Sequence, residues 1–191
     1  GATTNSISVT PTTTTNYTVT GTTNGCSNSQ VATVSVTAGP TVSVSNSTIC
    51  IGNNASLTAS GATTYSWSSG STTNSISVSP TVTTNYTVTG TTNGCSSAKV
   101  ATVNVNALPN ITVASTTICA GSTSTLVASG ATTYTWNTGA TGANLAVSPT
   151  VNTTYTVTGT SAAGCVNTNT ASVTVGSAPS ITVNSPSICA G

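Results

Sequence analysis

Residues 55–91 read ASLTASGATTYSWSSGSTTNSISVSPTVTTNYTVTGT, and their apolar residues recur every second position. Leu57 stands among Ser and Thr, Tyr65 and Trp67 are two apart, and so are Ile76 and Val78, and Tyr86 and Val88. A period of two places one face of a strand inward and the other in solvent, whereas a helix needs 3.6. Ser60-Gly61, Ser69-Gly70 and Pro80 interrupt the runs with turn chemistry. The abundance of Thr and Val suits a pleated surface, because β-branched side chains pack well there.

Extending the reading to 39–107 gives strands expected over 41–45, 55–60, 64–68, 75–79, 85–91 and 100–106. Further turn signals are Ile51-Gly-Asn-Asn54 and Asn93-Gly94. The spacing offers no helix of useful length. Six or seven short strands in about 70 residues with one buried face predict an antiparallel, immunoglobulin-like β-sandwich.

The unit repeats. Cys26, Cys95 and Cys165 recur at intervals of 69 and 70, as do Cys50, Cys119 and Cys189. Tyr17, Tyr86 and Tyr155 follow the same period, and so do the pairs Tyr65/Tyr134 and Trp67/Trp136. Residues 1–37 agree with 70–106 at 29 of 37 positions without a gap. One insertion separates repeats two and three, where Gly90-Thr-Thr-Asn-Gly-Cys95 becomes Gly159-Thr-Ser-Ala-Ala-Gly-Cys165. A length change tolerated there marks a surface turn. The expected organisation is the later part of a repeat over 1–38, complete repeats over 39–107 and 108–177, and the first strand of a further repeat over 178–191. The chain reads as a piece of something longer. The connections at Pro40 and Pro109 are short, which restricts hinge motion and favours a semi-rigid rod.

Composition excludes much chemistry. Among 191 residues there is one Lys and no Arg, Asp, Glu or His, while Thr (48), Ser (30) and Asn (19) make up half the chain. General acid–base catalysis draws on residue types that are nearly all missing, so no enzymatic activity is expected and no cofactor. Calcium needs carboxylates, and phosphate binding needs several cations, so neither metal nor nucleic acid is an expected partner. No run approaches the roughly 18 apolar residues of a membrane helix. A net charge of +1 leaves little repulsion between copies and favours association. Disorder, the usual fate of polar Ser/Thr tracts, is opposed by the strict alternation and the regular cysteines.

Each repeat holds one Trp, two Tyr and few aliphatics, a core small enough to need staples. An even set of cysteines at fixed positions reads as a disulfide framework, and hence as an extracellular location. Three registers compete. Within a repeat, Cys50 joins Cys95 and Cys119 joins Cys165, leaving Cys26 and Cys189 with partners outside the chain. Between repeats, Cys50 reaches Cys165. In the third, cysteines 24 apart pair, as Cys26–Cys50, Cys95–Cys119 and Cys165–Cys189.

Strand parity decides, because bridged Cα atoms lie within about 4.4–6.8 Å. If the strand ending near Trp67 turns directly into the one at Ile76, both cysteine turns share an end and the within-repeat bridge is easy. If a small extra strand intervenes at 70–74, they lie about 20 Å apart for a six-residue strand, and only the inter-repeat bridge reaches. The within-repeat register is favoured, since a small module gains most by closing its own loop.

Other residues have plain readings beside sharper ones. Tyr65 and Trp67 could stack sugars, but at period two they read as core. Lys99 reads as a solvated lysine, since an isopeptide crosslink generally needs a buried acid. Asn-x-Ser/Thr triplets at Asn16, Asn46, Asn54, Asn85, Asn110 and Asn152 arise by chance in such a composition.

The run Ile-Cys-x-Gly at 49–52 and 118–121, Leu-x-Ala-Ser-Gly-Ala-Thr-Thr-Tyr-x-Trp at 57–67, and Ser-Ile-Ser-Val, Tyr-Thr-Val-Thr-Gly and Asn-Gly-Cys over 75–95 carry a resemblance. The chain resembles, over essentially its whole length, the tandem immunoglobulin-like repeats of giant Bacteroidetes cell-surface proteins, including gliding-motility adhesins. That resemblance implies secretion, display as long surface filaments, and use in adhesion or surface movement. It also implies one cystine per module, in line with the within-repeat pairing. The chain departs from the family in lacking acidic residues. The expected function is a structural and adhesive segment, with neighbouring repeats, other copies of itself and surface polysaccharide as partners. The alternatives are an inert spacer in a secreted polysaccharide-degrading enzyme and a glycan-binding module.

Overall fold

A computed structural model describes residues 3–189. The strands are β1 (Thr15–Thr23), β2 (Cys26–Val34), β3 (Ser43–Val44), β4 (Ser47–Cys50), β5 (Ala55–Ser60), β6 (Thr64–Trp67), β7 (Ser75–Val78), β8 (Thr84–Thr92) and β9 (Cys95–Asn106). They are followed by β10 (Thr112–Val113), β11 (Thr116–Cys119), β12 (Ser124–Ser129), β13 (Thr133–Trp136), β14 (Asn144–Val147), β15 (Thr153–Thr160) and β16 (Val166–Gly176). No helix occurs among the described residues. The chain divides into two compact units. The first runs to Ser47 and adds Asn54–Val78 and Thr83–Asn104; the second takes Thr48–Asn53, Ser79–Val82 and everything from Val105.

Each complete repeat builds a three-stranded and a four-stranded sheet, in the orders β3-β5-β7 with β4-β9-β8-β6, and β10-β12-β14 with β11-β16-β15-β13. The pairs β3–β5, β5–β7, β6–β8, β8–β9, β10–β12, β12–β14, β13–β15 and β15–β16 are antiparallel, whereas β11 with β16 is parallel. This is a tandem immunoglobulin-like β-sandwich. Its first strand is split: β10 edges one sheet and β11 the other, so the chain crosses between sheets at 114–115.

Alternation in sequence becomes alternation in burial. Ala55, Leu57 and Ala59 of β5 are buried while Ser56, Thr58 and Ser60 are exposed. In the second unit Leu126, Trp136, Leu145, Tyr155, Val157 and Val173 meet in one core. The aromatic residues keep their polar atoms satisfied, as buried donors must. Trp136 Nε1 donates to the Gly142 carbonyl at 3.0 Å, and the Tyr134 hydroxyl donates to the Ala131 carbonyl at 3.0 Å while accepting the Ala131 N–H at 2.7 Å.

Sandwich formation, and not the hairpin alone, buries these residues. Val19 on β1 is 62 % exposed, whereas Val88, its counterpart 69 residues later, is fully buried. Residues 3–38 form only the β1–β2 hairpin: they hold no counterpart of β5, and Ser6–Val9, the sequence counterpart of β7, forms no strand. Likewise 177–189 carry no assigned strand. The counterpart segments β10 and β11 pair with β12 and β16, and 178–191 contains no such later strands. The expected strand there falls partly on residues 190–191, outside the described residues.

Two readings need correction. The segment at 47–50, given no strand in the sequence reading, is the strand β4. The last strand of repeat two begins at Cys95, not at 100, because the Asn93-Gly94 turn is tight. Asn93 and Gly94 both adopt positive φ, 51° and 79°, and Thr92 faces Cys95 directly across the turn. Two left-handed residues match the right-handed twist of the flanking strands.

Candidate functional site

With Lys99 exposed on β9 and the aromatic side chains turned inward, the cysteines are the residues with chemistry to offer. Cys50 is bonded to Cys165, with S–S 1.98 Å and Cα–Cα 5.6 Å across a sequence separation of 115. Both belong to the second compact unit. Cys165 is fully buried. The Asn106 carbonyl accepts the Ile51 N–H at 2.9 Å and lies 4.0 Å from Cys165 Sγ, so the residue following Cys50 is fixed beside the bond. On the other side the Ser161 Oγ accepts the Cys165 N–H at 3.2 Å, and the Cys165 carbonyl accepts the Ser161 N–H at 2.9 Å. These contacts use the inserted turn, whose residues 162–164 are exposed.

The favoured pairs Cys50–Cys95 and Cys119–Cys165 are therefore not formed, and neither are pairs 24 apart. Cys26, Cys95, Cys119 and Cys189 are unbonded. Strand parity supplies the reason. Cys119 is the Cα partner of Gly176, the last residue of β16, while Cys165 directly precedes Val166, its first. Eleven residues of strand separate them, or about 35 Å at ~3.3 Å per residue, far beyond the reach of a cystine. The extra reversal that produces this geometry is present. Gly139 N–H bonds to the Trp136 carbonyl at 2.9 Å, Trp136 N–H bonds to the Ala140 carbonyl at 2.8 Å, and Thr141 bridges antiparallel to Thr135. Repeat two turns the same way, with Trp67 N–H on the Ser71 carbonyl at 2.8 Å.

Cys26 opens β2 and is exposed, as are Cys119 at the end of β11 and Cys189. Cys95, half-buried at the start of β9, directs its thiol to the Thr37 carbonyl at 3.7 Å. Trp67 is buried and its Nε1 donates to the Thr73 carbonyl at 2.9 Å. Half-buried Tyr65 turns its hydroxyl back to the Ala62 carbonyl at 2.9 Å. Neither presents a sugar-stacking face.

Several asparagines of the Asn-x-Ser/Thr triplets have structural partners. Asn46 Oδ1 accepts the Thr102 N–H at 2.8 Å, and Asn152 Oδ1 accepts the Val175 N–H at 2.7 Å. Asn85 Oδ1 takes the Thr102 hydroxyl and Asn16 Oδ1 the Thr33 hydroxyl, each at 2.8 Å. Elsewhere hydroxyls pair across strands, as Thr91 with Ser96 at 2.8 Å and Thr112 with Ser129 at 2.6 Å. The outer faces are thus ordered arrays of neutral hydroxyls. No helix of the described residues is long and apolar enough to cross a membrane.

No family model matches the chain, and no curated protein matches it. Among solved structures it is similar to the titin domains Z1Z2 in complex with telethonin, at 17% identity over 75% of this chain and 100% of that one, TM-score 0.32. It is also similar to the N-terminal eight Ig domains of Down Syndrome Cell Adhesion Molecule, at 14% identity over 85% of this chain and 31% of that one, TM-score 0.35. Extracellular domains 3–5 of Drosophila OTK give 13% identity, 85% and 71% coverage and TM-score 0.39. The immunoglobulin-like assignment stands on the sheet order and the split first strand described above.

Proposed function

We propose that this chain is a structural and adhesive segment of a long extracellular repeat protein, one that forms or decorates a cell-surface filament used in adhesion or surface movement. The observation that carries the reading is the Cys50–Cys165 bond, which ties a cysteine of one sequence repeat to a cysteine of the next. A covalent tie between repeats suits a protein that bears tension along its length, and stable cystines belong to oxidising compartments. Tandem repeats over 39–107 and 108–177 suit such a load-bearing role. Nearly uncharged hydroxyl faces suit contact with other copies or with polysaccharide. The resemblance to Bacteroidetes surface adhesins points the same way.

The test is immunogold electron microscopy of the producing cells with antibody against this chain. Label running at intervals along surface filaments is the expected result. Label confined to discrete secreted particles that carry polysaccharide-hydrolase activity would overturn it and favour a spacer role.

A further inference from the structure

We propose that the cysteines form two complementary classes, one closing strand β4 or β11 (with Cys189 as their sequence counterpart) and the other at the start of the last strand of a repeat, and that each links only to the opposite class on another repeat. Cys50, Cys119 and Cys189 make the first class; Cys26, Cys95 and Cys165 make the second. Cys119 and Cys95 are then covalent docking points for a second copy of this chain, joined head to tail.

The argument begins with the bond that exists. Cys50 and Cys165 meet because the first class sits at one end of its repeat and the second at the other, as Cys119 opposite Gly176 and Cys165 before Val166 show. Two cysteines of one repeat are held apart by the length of the last strand, and two of the same class occupy the same end. A head-to-tail meeting of repeats therefore brings unlike classes together, as Cys50 and Cys165 show. The station at Cys95 is already shaped like the one that is bonded. Thr37 lies 69 residues before Asn106, and its carbonyl is 3.7 Å from Cys95 Sγ, as the Asn106 carbonyl is 4.0 Å from Cys165 Sγ. At Asn106 that same carbonyl also takes the N–H of the residue after the partner cysteine. An incoming Cys-Ala segment from another copy, Cys119-Ala120 or Cys189 with the alanine after it, finds the same acceptor in Thr37, since only the backbone N–H of the following residue is used. Cys119, exposed at the end of β11, is the repeat counterpart of the bonded Cys50.

The bond forms by exchange with a small-molecule disulfide such as oxidised glutathione. One cysteine thiolate attacks the glutathione disulfide and releases one glutathione thiolate. The opposite cysteine then displaces the second glutathione, so two protein thiols become one cystine and two glutathione molecules are reduced.

The experiment mixes equal amounts of light and 15N-labelled chain, both carrying their native cystine, and oxidises them with glutathione disulfide. Remaining thiols are blocked with N-ethylmaleimide, and linked peptides are mapped after peptic digestion at acid pH, where exchange stops. Cys50–Cys165 should appear only as light–light or heavy–heavy. Mixed light–heavy links should join Cys26 or Cys95 to Cys119 or Cys189, at least tenfold more abundant than links within a class. The variant carrying both Cys119→Ser and Cys189→Ser should lose covalent oligomers while retaining Cys50–Cys165. Persistent oligomers in that variant overturn the proposal. So do like-with-like links at comparable yield, Cys95 and Cys119 left wholly alkylatable after oxidation, or bonds Cys50–Cys95 and Cys119–Cys165 within one copy. None of these outcomes depends on whether the native material is a filament.

Discussion

At the scale of single residues, stability rests on a few interlocked contacts rather than on many. Gly159 on β15 faces the core with no room to spare. A Cβ there would lie 2.8 Å from the Ala131 Cβ and run into the Ile111 side chain. A Cβ at its counterpart Gly90 would lie 2.5 Å from Val42 Cγ2 and 2.6 Å from Ala62 Cβ. The glycine lets the first strand and the 61–63 turn close over the sheet. Gly159→Ala should destabilise by about 1–3 kcal/mol through overpacking, read as a shift in the urea unfolding midpoint. Leu126 is the opposite case, a buried aliphatic at 2 % exposure in a core with few others. Leu126→Ala should cost about 2–5 kcal/mol from lost burial plus the cavity left behind, and an effect below ~1 kcal/mol would mean that the core is looser than described. The identity of these residues was legible in the sequence: period-two alternation named Leu57, Trp67, Ile76 and Val88 as core, and all four are buried. Glycine packing was not legible, because a glycine within a Thr-Val run carries no pattern that separates a close contact from a turn.

At the scale of elements, what local chemistry encodes was readable and what non-local pairing encodes was not. The strand β5 was placed at its observed bounds, and β6, β7 and β8 within a residue or so, since each has its own alternation and its own turn signals. The strand β4 was missed. Ser47-Thr-Ile-Cys50 has one aliphatic residue and no alternating run, and in repeat three the counterpart β11 is held by parallel pairing with a strand more than 50 residues away. That omission propagated to the cystine. Without β4 and the reversal after Trp67, the two ends of a repeat cannot be told apart, and the ease of closing a short loop favours Cys50–Cys95. The bond actually present closes a separation of 115, for which the chain-entropy model gives on the order of 4–5 kcal/mol. Replacing both cysteines by serine should therefore lower the melting temperature by on the order of 10 °C at this chain length. A change below ~2 °C in calorimetry would show that the unbonded chain already holds the two ends together.

At the scale of the whole molecule, the missing charges set the response to solvent. The pH dependence of folding is 2.303RT times the difference in bound protons between unfolded and folded chains. Side chains that exchange protons between pH 3 and 8 are Asp, Glu and His, and the chain has none. The remaining difference comes from the chain termini alone, so the slope is near zero. Acid also adds little repulsion, because protonating one terminal carboxyl raises the net charge by about one unit, whereas an ordinary domain of this size gains many charges on losing its carboxylates. Both routes to acid denaturation are closed by composition. The melting temperature should accordingly vary by no more than about 3 °C between pH 3 and pH 8 in scanning calorimetry at constant ionic strength. A fall of 10 °C at pH 3 would require a titrating group that the sequence does not contain, and so would point to a covalent modification carrying acid groups. The same near-neutrality acts between molecules: with no charge to keep open sheet edges such as β6 and β14 apart, solubility should be nearly independent of pH and respond instead to solutes that compete for hydroxyl hydration.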